Sequence, residues 1–165
     1  SLVLTGASRA ADKGLLDAVR SDDRRATQAL LKAGSDPNTR DSIGATALMY
    51  AAAFASPGCM RVLLDGGADV NAASNGEATA LMWATGDATK VRLLLDRGAA
   101  ANTRMKDGTT ALVTAACRGN TEVMRLLLAR GADPKTAANE KAELLRIVYS
   151  DHPEIRQILR TPASS

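Results

Sequence analysis

The chain has 165 residues, which suits one domain, and its 21 basic and 18 acidic residues give a formal net charge of +3. The basic residues are dispersed among the acids and aromatic residues make up only 2%, so the composition argues against a nucleic-acid partner. No apolar run approaches the length of a membrane span.

The first eleven residues have two readings. Apolar Leu2-Val3-Leu4 is followed by Ser8 and Ala10, small residues at the −3 and −1 positions of a signal-cleavage pattern. Residues 1–11 are therefore either the remnant of a secretory signal peptide or a flexible N-terminus. The first reading predicts a periplasmic or secreted protein, and the second is compatible with the cytoplasm.

Two short motifs then recur in phase along most of the chain. A turn led by Gly34, Gly67, Gly98 or Gly131 recurs at spacings of 33, 31 and 33 residues, each time after an apolar segment. Thr-Ala-Leu recurs at residues 46–48, 79–81 and 110–112. Two anchors in register predict an array of repeated units. We place the units at residues 12–40, 41–73, 74–104 and 105–138, followed by a C-terminal cap at 139–160 and a tail or linker at 161–165.

Each unit predicts two helices and a projecting turn. The threonine hydroxyl can cap the first helix, and the second helix ends at the glycine, which tolerates a left-handed conformation. The stretch that leads to the next threonine is too short for a helix. It predicts a turn or short hairpin, with Ile43-Gly44, Asn75-Gly76 and Asp107-Gly108 near the tips.

This unit resembles the ankyrin repeat, whose landmarks are a T-P-L-H helix start, a leucine run and a G-A-D-x-N turn. The resemblance extends from about Asp12 to Leu159. It implies an all-α ankyrin-repeat solenoid of stacked helix-turn-helix units with short β-hairpin or turn fingers, about five repeats including the caps.

Two departures from the family pattern predict local differences. The family's histidine is replaced by Met49, Met82 and Val113, so we expect neighbouring repeats to depend more on apolar packing. The third unit is two residues short between Ala84 and Thr89, which predicts a shortened first helix.

Catalytic and metal-binding motifs are missing from the sequence. There is no phosphate-binding glycine loop and no nucleophile elbow. The only histidine, His152, falls between two helices predicted near residues 142–145 and 155–159, and we interpret it as an exposed turn residue. Cys59 and Cys117 form no C-x-x-C pair and occupy different repeat positions, so we expect neither a zinc site nor a disulfide. We predict no enzyme activity, no metal and no cofactor.

An arginine row has two interpretations. Arg61, Arg92 and Arg125 each lie six residues before a repeat glycine, so stacking would align them on the second helices. The row either receives an acidic partner or keeps the array soluble, with Arg61 and Arg92 pairing to Asp65 and Asp96 four residues later.

The resemblance also implies a binding face, because partners of ankyrin repeats usually dock on the hairpin tips and the exposed side of the first helices. Ile43 and Phe54 are apolar at positions the repeat core does not require, although Phe54 has the alternative of folding over the alanine-rich helices. Tyr50 and Trp83 we interpret as packing between repeats. The predicted partner-binding residues are Ser42, Ile43, Ala45, Ala53, Phe54, Asn75, Glu77, Ala78, Thr85, Lys106, Asp107, Thr109, Cys117 and Arg118.

Two functions are compatible with these patterns. The first is a monomeric, non-catalytic protein–protein interaction module whose protein partner is unknown. The second is an accessory or positioning domain of a larger exported enzyme or redox protein, whose catalytic part is absent from this chain.

Overall fold

A computed structural model describes residues 13–134 of the chain together with Pro153. Within residues 13–134 the chain forms eight helices in four pairs, and no strand. The helices are α1 (13–20), α2 (Arg24–Lys32), α3 (Ala47–Phe54), α4 (Pro57–Asp65), α5 (Ala80–Trp83), α6 (Ala88–Asp96), α7 (Ala111–Cys117) and α8 (Thr121–Ala129). The first helices of successive pairs pack on one another, as do the second helices. The predicted all-α repeat solenoid is confirmed.

Most helix starts use the predicted capping chemistry. The hydroxyl oxygens of Thr46 and Thr110 accept hydrogen bonds of 3.3 Å from the backbone N–H groups of Met49 and Val113, at the starts of α3 and α7. Thr79 caps nothing at the start of α5, contrary to the prediction, because the N–H of Met82 donates instead to the carbonyl of Thr79.

The ends of the second helices follow the predicted pattern. The glycines that follow them have positive φ angles of 96°, 94°, 86° and 81° at Gly34, Gly67, Gly98 and Gly131. A left-handed residue lets the chain leave the helix while the next N–H groups return to its last carbonyls.

The core is a continuous row of small and medium apolar side chains. Leu48, Leu81 and Leu112 of the first helices are at most 3% exposed, and the second helices bury residues such as Leu63 and Leu94 completely. The side chains at the family's histidine position, Met49, Met82 and Val113, are also buried, which confirms the expected apolar packing there.

Asparagines add polar ties between neighbouring repeats. The side chain of Asn71 donates to the carbonyl of Gly98 (3.1 Å) and accepts from the N–H of Ala100 (2.8 Å). Asn38 and Asn102 make the same pair of hydrogen bonds to the following repeat. Each asparagine therefore joins its own turn to the end of the next second helix.

Ion pairs at the second helices join neighbouring repeats. They do not join successive turns of the same helix. Arg97 pairs with Asp65 at 2.8 Å and Arg130 pairs with Asp96 at 2.5 Å. The predicted pairing of Asp65 and Asp96 with the arginines four residues before them was wrong, because both carboxylates point to the next repeat. Such exposed pairs contribute little to stability.

Several predicted features lie outside the described residues: the segment 1–11, the helix pair near residues 142–145 and 155–159, and His152. The boundaries assigned to the individual units stay predictions. Both cysteines are free thiols, as expected.

Candidate functional site

Three projecting turns, here called fingers, precede the first helices α3, α5 and α7. The fingers are residues 41–45, 74–78 and 105–109, and in each the first residue donates its N–H to the carbonyl of the last, at 3.0, 2.9 and 2.8 Å. Isolated antiparallel bridges, Arg40 with Thr46 and Ala73 with Thr79, close the first two fingers at their bases. The predicted hairpins are therefore tight turns without regular strands in this part of the chain.

Hydrogen bonds join the fingers into one row. The N–H of Asn75 donates to the carbonyl of Ile43 at 3.0 Å, and the N–H of Lys106 donates to the carbonyl of Gly76 at 3.2 Å. The guanidinium of Arg40 donates to the carbonyl of Ala73 at 2.5 Å. Neighbouring fingers thus hold one another in place, and their tips form a continuous surface.

The left-handed residue of each finger is not the same amino acid. It is glycine in the first and third fingers, Gly44 (φ 74°) and Gly108 (φ 79°), but Glu77 (φ 64°) in the second. A Cβ atom on Gly44 would approach the backbone nitrogen of Asn75 to 2.9 Å, so glycine is required there for space as well as conformation. The neighbouring Gly76, at the tip of the second finger, does not take this conformation. The structure instead places an exposed carboxylate on a strained backbone.

The predicted partner-binding residues divide by exposure. The exposed members are Ser42, Ile43, Phe54, Asn75, Glu77, Lys106, Asp107, Cys117 and Arg118, and Ala53 and Thr109 are half-buried. Ala45, Ala78 and Thr85 are buried, with exposures of 0%, 5% and 0%. The two alanines close the bases of their fingers, and the Thr85 hydroxyl donates to the carbonyl of Met82. Since these three side chains offer no surface to a partner, they are removed from the predicted set.

An aromatic cluster, consisting of Tyr50, Phe54 and Trp83, lies beside the fingers on α3 and α5. The ring of Tyr50 stacks on Phe54 at a centroid distance of 6.4 Å and meets Trp83 edge to face at 5.7 Å. Tyr50 and Trp83 are half-buried between repeats, as predicted, while Phe54 is 68% exposed. Phe54 therefore does not fold over the alanine-rich helices, and one edge of the cluster faces solvent.

The first finger is fixed to the aromatic cluster through Asp41. One carboxylate oxygen accepts from the N–H groups of Ile43 (3.0 Å) and Ala45 (2.9 Å), and the other accepts from the Tyr50 hydroxyl. Burial raises the pKa of Asp41, but these hydrogen bonds and the charge of Arg20 outweigh it and leave the pKa lowered. Asp41 is thus held as a carboxylate that shapes the finger bearing Ile43. Sequence reasoning missed this residue, although an aspartate two residues before a finger tip is a recognisable turn signal.

A cavity of about 650 Å³ opens on the same face, here called the α5 cavity. It is lined by Phe54, Met82, Trp83, Lys90, Met105 and Arg118, among others. The predicted shortening of the third unit explains it: α5 has four residues, whereas α3 has eight and α7 has seven. The space left by the missing turn lies between the C-terminal ends of α3 and α7.

The described residues hold no group of three or more histidine, cysteine, aspartate or glutamate side chains that could bind a metal ion. In that same part of the chain, no helix combines the length and apolar character needed to cross a bilayer.

Comparison with known proteins identifies the repeat. The family described as Ankyrin repeats (3 copies) matches the chain over residues 15–105 and 86–163. The two matches overlap and together extend over most of the sequence. A search of curated proteins returned no match.

Proposed function

Because the chain belongs to the ankyrin-repeat family, we propose that it is a monomeric, non-catalytic module that binds a partner protein through its finger tips and first helices. Ankyrin repeats generally mediate protein–protein interaction, and the family is typically non-catalytic.

The observation that carries the proposal is the placement of two apolar side chains. Ile43 and Phe54 are the large hydrophobic residues left exposed in the described part of the chain, at 54% and 68%. Ile43 lies on the first finger and Phe54 at the end of α3. The two positions are connected through Asp41, which accepts from the Ile43 N–H and the Tyr50 hydroxyl, and through the Tyr50 ring, which stacks on Phe54. Large apolar side chains that a fold leaves in water are typical anchors of protein interfaces.

The rigidity of the fingers supports the same surface. Each finger is closed by internal hydrogen bonds and tied to its neighbour through backbone groups, such as Asn75 N–H to Ile43 carbonyl. A surface that is already ordered loses less conformational entropy when a partner binds. The strained backbone at the exposed Glu77 also supports the fingers as the binding surface, because unfavourable backbone conformations cluster at functional positions.

The experiment is affinity capture with the purified chain, followed by affinity measurement with each captured protein. The test variant is Ile43→Asp/Phe54→Asp. The matched control is Gln28→Asp/Ala129→Asp, which changes the net charge by the same amount at exposed positions on the second helices α2 and α8.

We expect the test variant to weaken binding by about tenfold or more, since buried apolar anchors each contribute more than about 1 kcal/mol, and the control to bind like the parent chain. Light scattering should give the mass of one chain. Equal binding by the parent chain and the test variant would place the interface elsewhere, and loss of binding in the control alone would assign it to the second helices.

A further inference from the structure

The α5 cavity contains a buried cation at a position where the other repeats carry an apolar side chain. Lys90 lies eight residues before Gly98, and the corresponding residues in the neighbouring repeats are Cys59 and Val123. Cys59 and Val123 are fully buried, and Lys90 is 8% exposed. A lysine therefore occupies a core position of the fold, at the one described repeat whose first helix is shortened.

The ammonium group of Lys90 is incompletely satisfied. It donates one hydrogen bond, of 3.1 Å, to the carbonyl of Ala52 near the end of α3. Within residues 13–134 it makes no second hydrogen bond, and no carboxylate lies within ion-pairing distance of it. An ammonium has three donors, and a buried charge without a counter-charge is costly. The group is thus positioned to gain free energy from an acceptor that enters the cavity.

The other charged side chains of the cavity leave it positive. Arg118 lines the wall and is exposed. Asp87 also lines the cavity, but its carboxylate caps α6 by accepting from the N–H groups of Thr89 (2.8 Å) and Lys90 (3.2 Å). One oxygen of Asp87 is thus engaged with the backbone, and the two cations exceed the single carboxylate, so the cavity carries a net positive charge and is complementary to an anion.

The remaining walls are apolar and come from several repeats. Phe54 belongs to α3, Trp83 to α5 and Met105 to the third finger. Because the walls belong to three successive repeats, an extended segment laid along this face would contact the cavity part-way along its length. The volume of about 650 Å³ is enough for more than one side chain and falls within the range of small-molecule sites.

We propose that the α5 cavity receives the carboxylate of an aspartate or glutamate side chain, from an internal segment of the partner protein, with a neighbouring large apolar side chain packed on Phe54. This rests on the proposed function and names the chemistry of the partner. The carboxylate accepts charge-assisted hydrogen bonds from Lys90 and Arg118, which are stronger than neutral ones. The apolar neighbour covers the exposed ring and excludes water from the ion pair.

The test uses capped dipeptides as probes in ¹H–¹⁵N spectra of the whole chain. The probes are acetyl-Glu-Phe-amide, its uncharged match acetyl-Gln-Phe-amide, and acetyl-Gln-Phe with a free C-terminal carboxylate. We expect the first probe to shift the signals of Trp83, Lys90 and Arg118 saturably and to bind about tenfold more tightly than the second, as one charge-assisted hydrogen bond predicts. The third probe separates a chain terminus from a side chain as the source of the carboxylate.

Two variants assign the effect to the cavity. Lys90→Met keeps an unbranched side chain, one atom shorter and without the ammonium group, and should abolish the preference for glutamate over glutamine. Arg118→Gln changes an exposed side chain, so it keeps the fold intact and should reduce the same preference several-fold even if Lys90→Met unfolds. Arg61→Gln on α4 is the matched control, and this variant should retain the preference for the glutamate probe over the glutamine probe.

Equal binding of the glutamate and glutamine probes, no saturable shift at the cavity, or tighter binding of the free C-terminus would each overturn the proposal. These results are distinguishable from failure of the proposed function. If protein capture depends on Ile43 and Phe54 while Lys90 and Arg118 have no effect on the captured partner, only the carboxylate inference fails. If the probes show the preference but no protein is captured through this face, the proposed function fails, and with it the assignment of the carboxylate to a partner protein, while the preference of the cavity for a carboxylate stands.

Discussion

The hydroxyl of Tyr50 donates a hydrogen bond of 2.5 Å to the carboxylate of Asp41, and this contact joins helix α3 to the first finger. The guanidinium of Arg20 lies 4.1 Å from the centre of the Tyr50 ring and 3.8 Å from the same carboxylate. One aspartate thus connects the preceding repeat, the finger and the aromatic cluster.

Replacing Tyr50 by phenylalanine should destabilise the chain in a pH-dependent way. The variant keeps the ring that packs on Trp83 and Phe54 but loses the hydrogen bond, so we expect a loss of about 1–2 kcal/mol at neutral pH. Because the pKa of Asp41 is lowered, its carboxylate adds to the free energy of unfolding above the ordinary carboxyl pKa of 3.8. This stabilisation is lost as the pH falls through the lowered pKa of the folded chain. The difference between parent and variant should therefore shrink below about pH 4. Urea unfolding between pH 7 and pH 3 measures it.

Asp41→Asn is the control for this assignment, because it removes the titrating group. The Tyr50→Phe chain keeps this carboxyl. The difference between the free energies of unfolding of Asp41→Asn and Tyr50→Phe should therefore vary with pH over the same acidic range. A parent-to-Tyr50→Phe difference that is constant from pH 7 to pH 3 would contradict the role assigned to Asp41.

Replacing Glu77 by glycine should stabilise the fold. A left-handed conformation is strained for glutamate and free of strain for glycine, although glycine loses more entropy on folding, so we expect a net gain of about 0.5–1 kcal/mol. Glu77→Ala keeps the Cβ atom and therefore the strain, and removes the carboxylate with its Cγ methylene, so it should give no comparable gain. Thermal unfolding of the three chains decides this, and a larger gain for alanine than for glycine would show that charge, not backbone strain, governs this position.

The repeat made most of the fold predictable from sequence. Gly34, Gly67, Gly98 and Gly131 mark a conformation that few other residues adopt, so their spacing located the helix ends directly. The missing two residues after Ala84 likewise predicted a shortened α5, and the observed helix of four residues is three residues shorter than α7. Exposure of Ile43 followed from a position that the repeat core leaves unused, whereas for Phe54 the sequence left two alternatives open and the structure shows the exposed one.

Features that depend on contacts between repeats were not predictable in this way. Asp65 has arginines near it in sequence and in the next repeat, and only the stacking geometry selects Arg97 over Arg61. The cavity around Lys90 depends on where α3 and α7 end relative to α5, which no local pattern encodes. The left-handed backbone of Glu77 was also not predicted, since the adjacent Gly76 is the residue that local turn preferences favour.

The two cysteines should differ sharply in reactivity. Cys59 is fully buried, and burial raises the pKa of its thiol by more than the nearby Thr27 hydroxyl lowers it. Cys117 is exposed at the end of α7. We expect a disulfide reagent to titrate one thiol rapidly in the folded chain and a second only in urea, with Cys117→Ser nearly inert until it unfolds. Rapid reaction of both thiols in the folded parent chain would mean that α4 does not shield Cys59.

The threonines that begin the first helices should not contribute equally to stability. Thr110 caps α7 through its hydroxyl, whereas the Thr79 hydroxyl oxygen is buried and has no hydrogen-bond partner in the described part of the chain. Valine has nearly the shape of threonine without the hydroxyl. Thr110→Val should therefore cost about 1 kcal/mol, and Thr79→Val should be neutral or stabilising, because it removes an unsatisfied buried polar group.

Chemical denaturation of the two single variants and the parent chain makes the comparison. The physical reason is specific to α5: the N–H that a threonine cap would take, that of Met82, is already bonded to the carbonyl of Thr79 at 3.1 Å. Equal losses in the two variants would show that Thr79 does cap its helix in solution. A more stable Thr79→Val variant would instead show that α5 begins without a side-chain cap. This is the shortened helix that borders the α5 cavity.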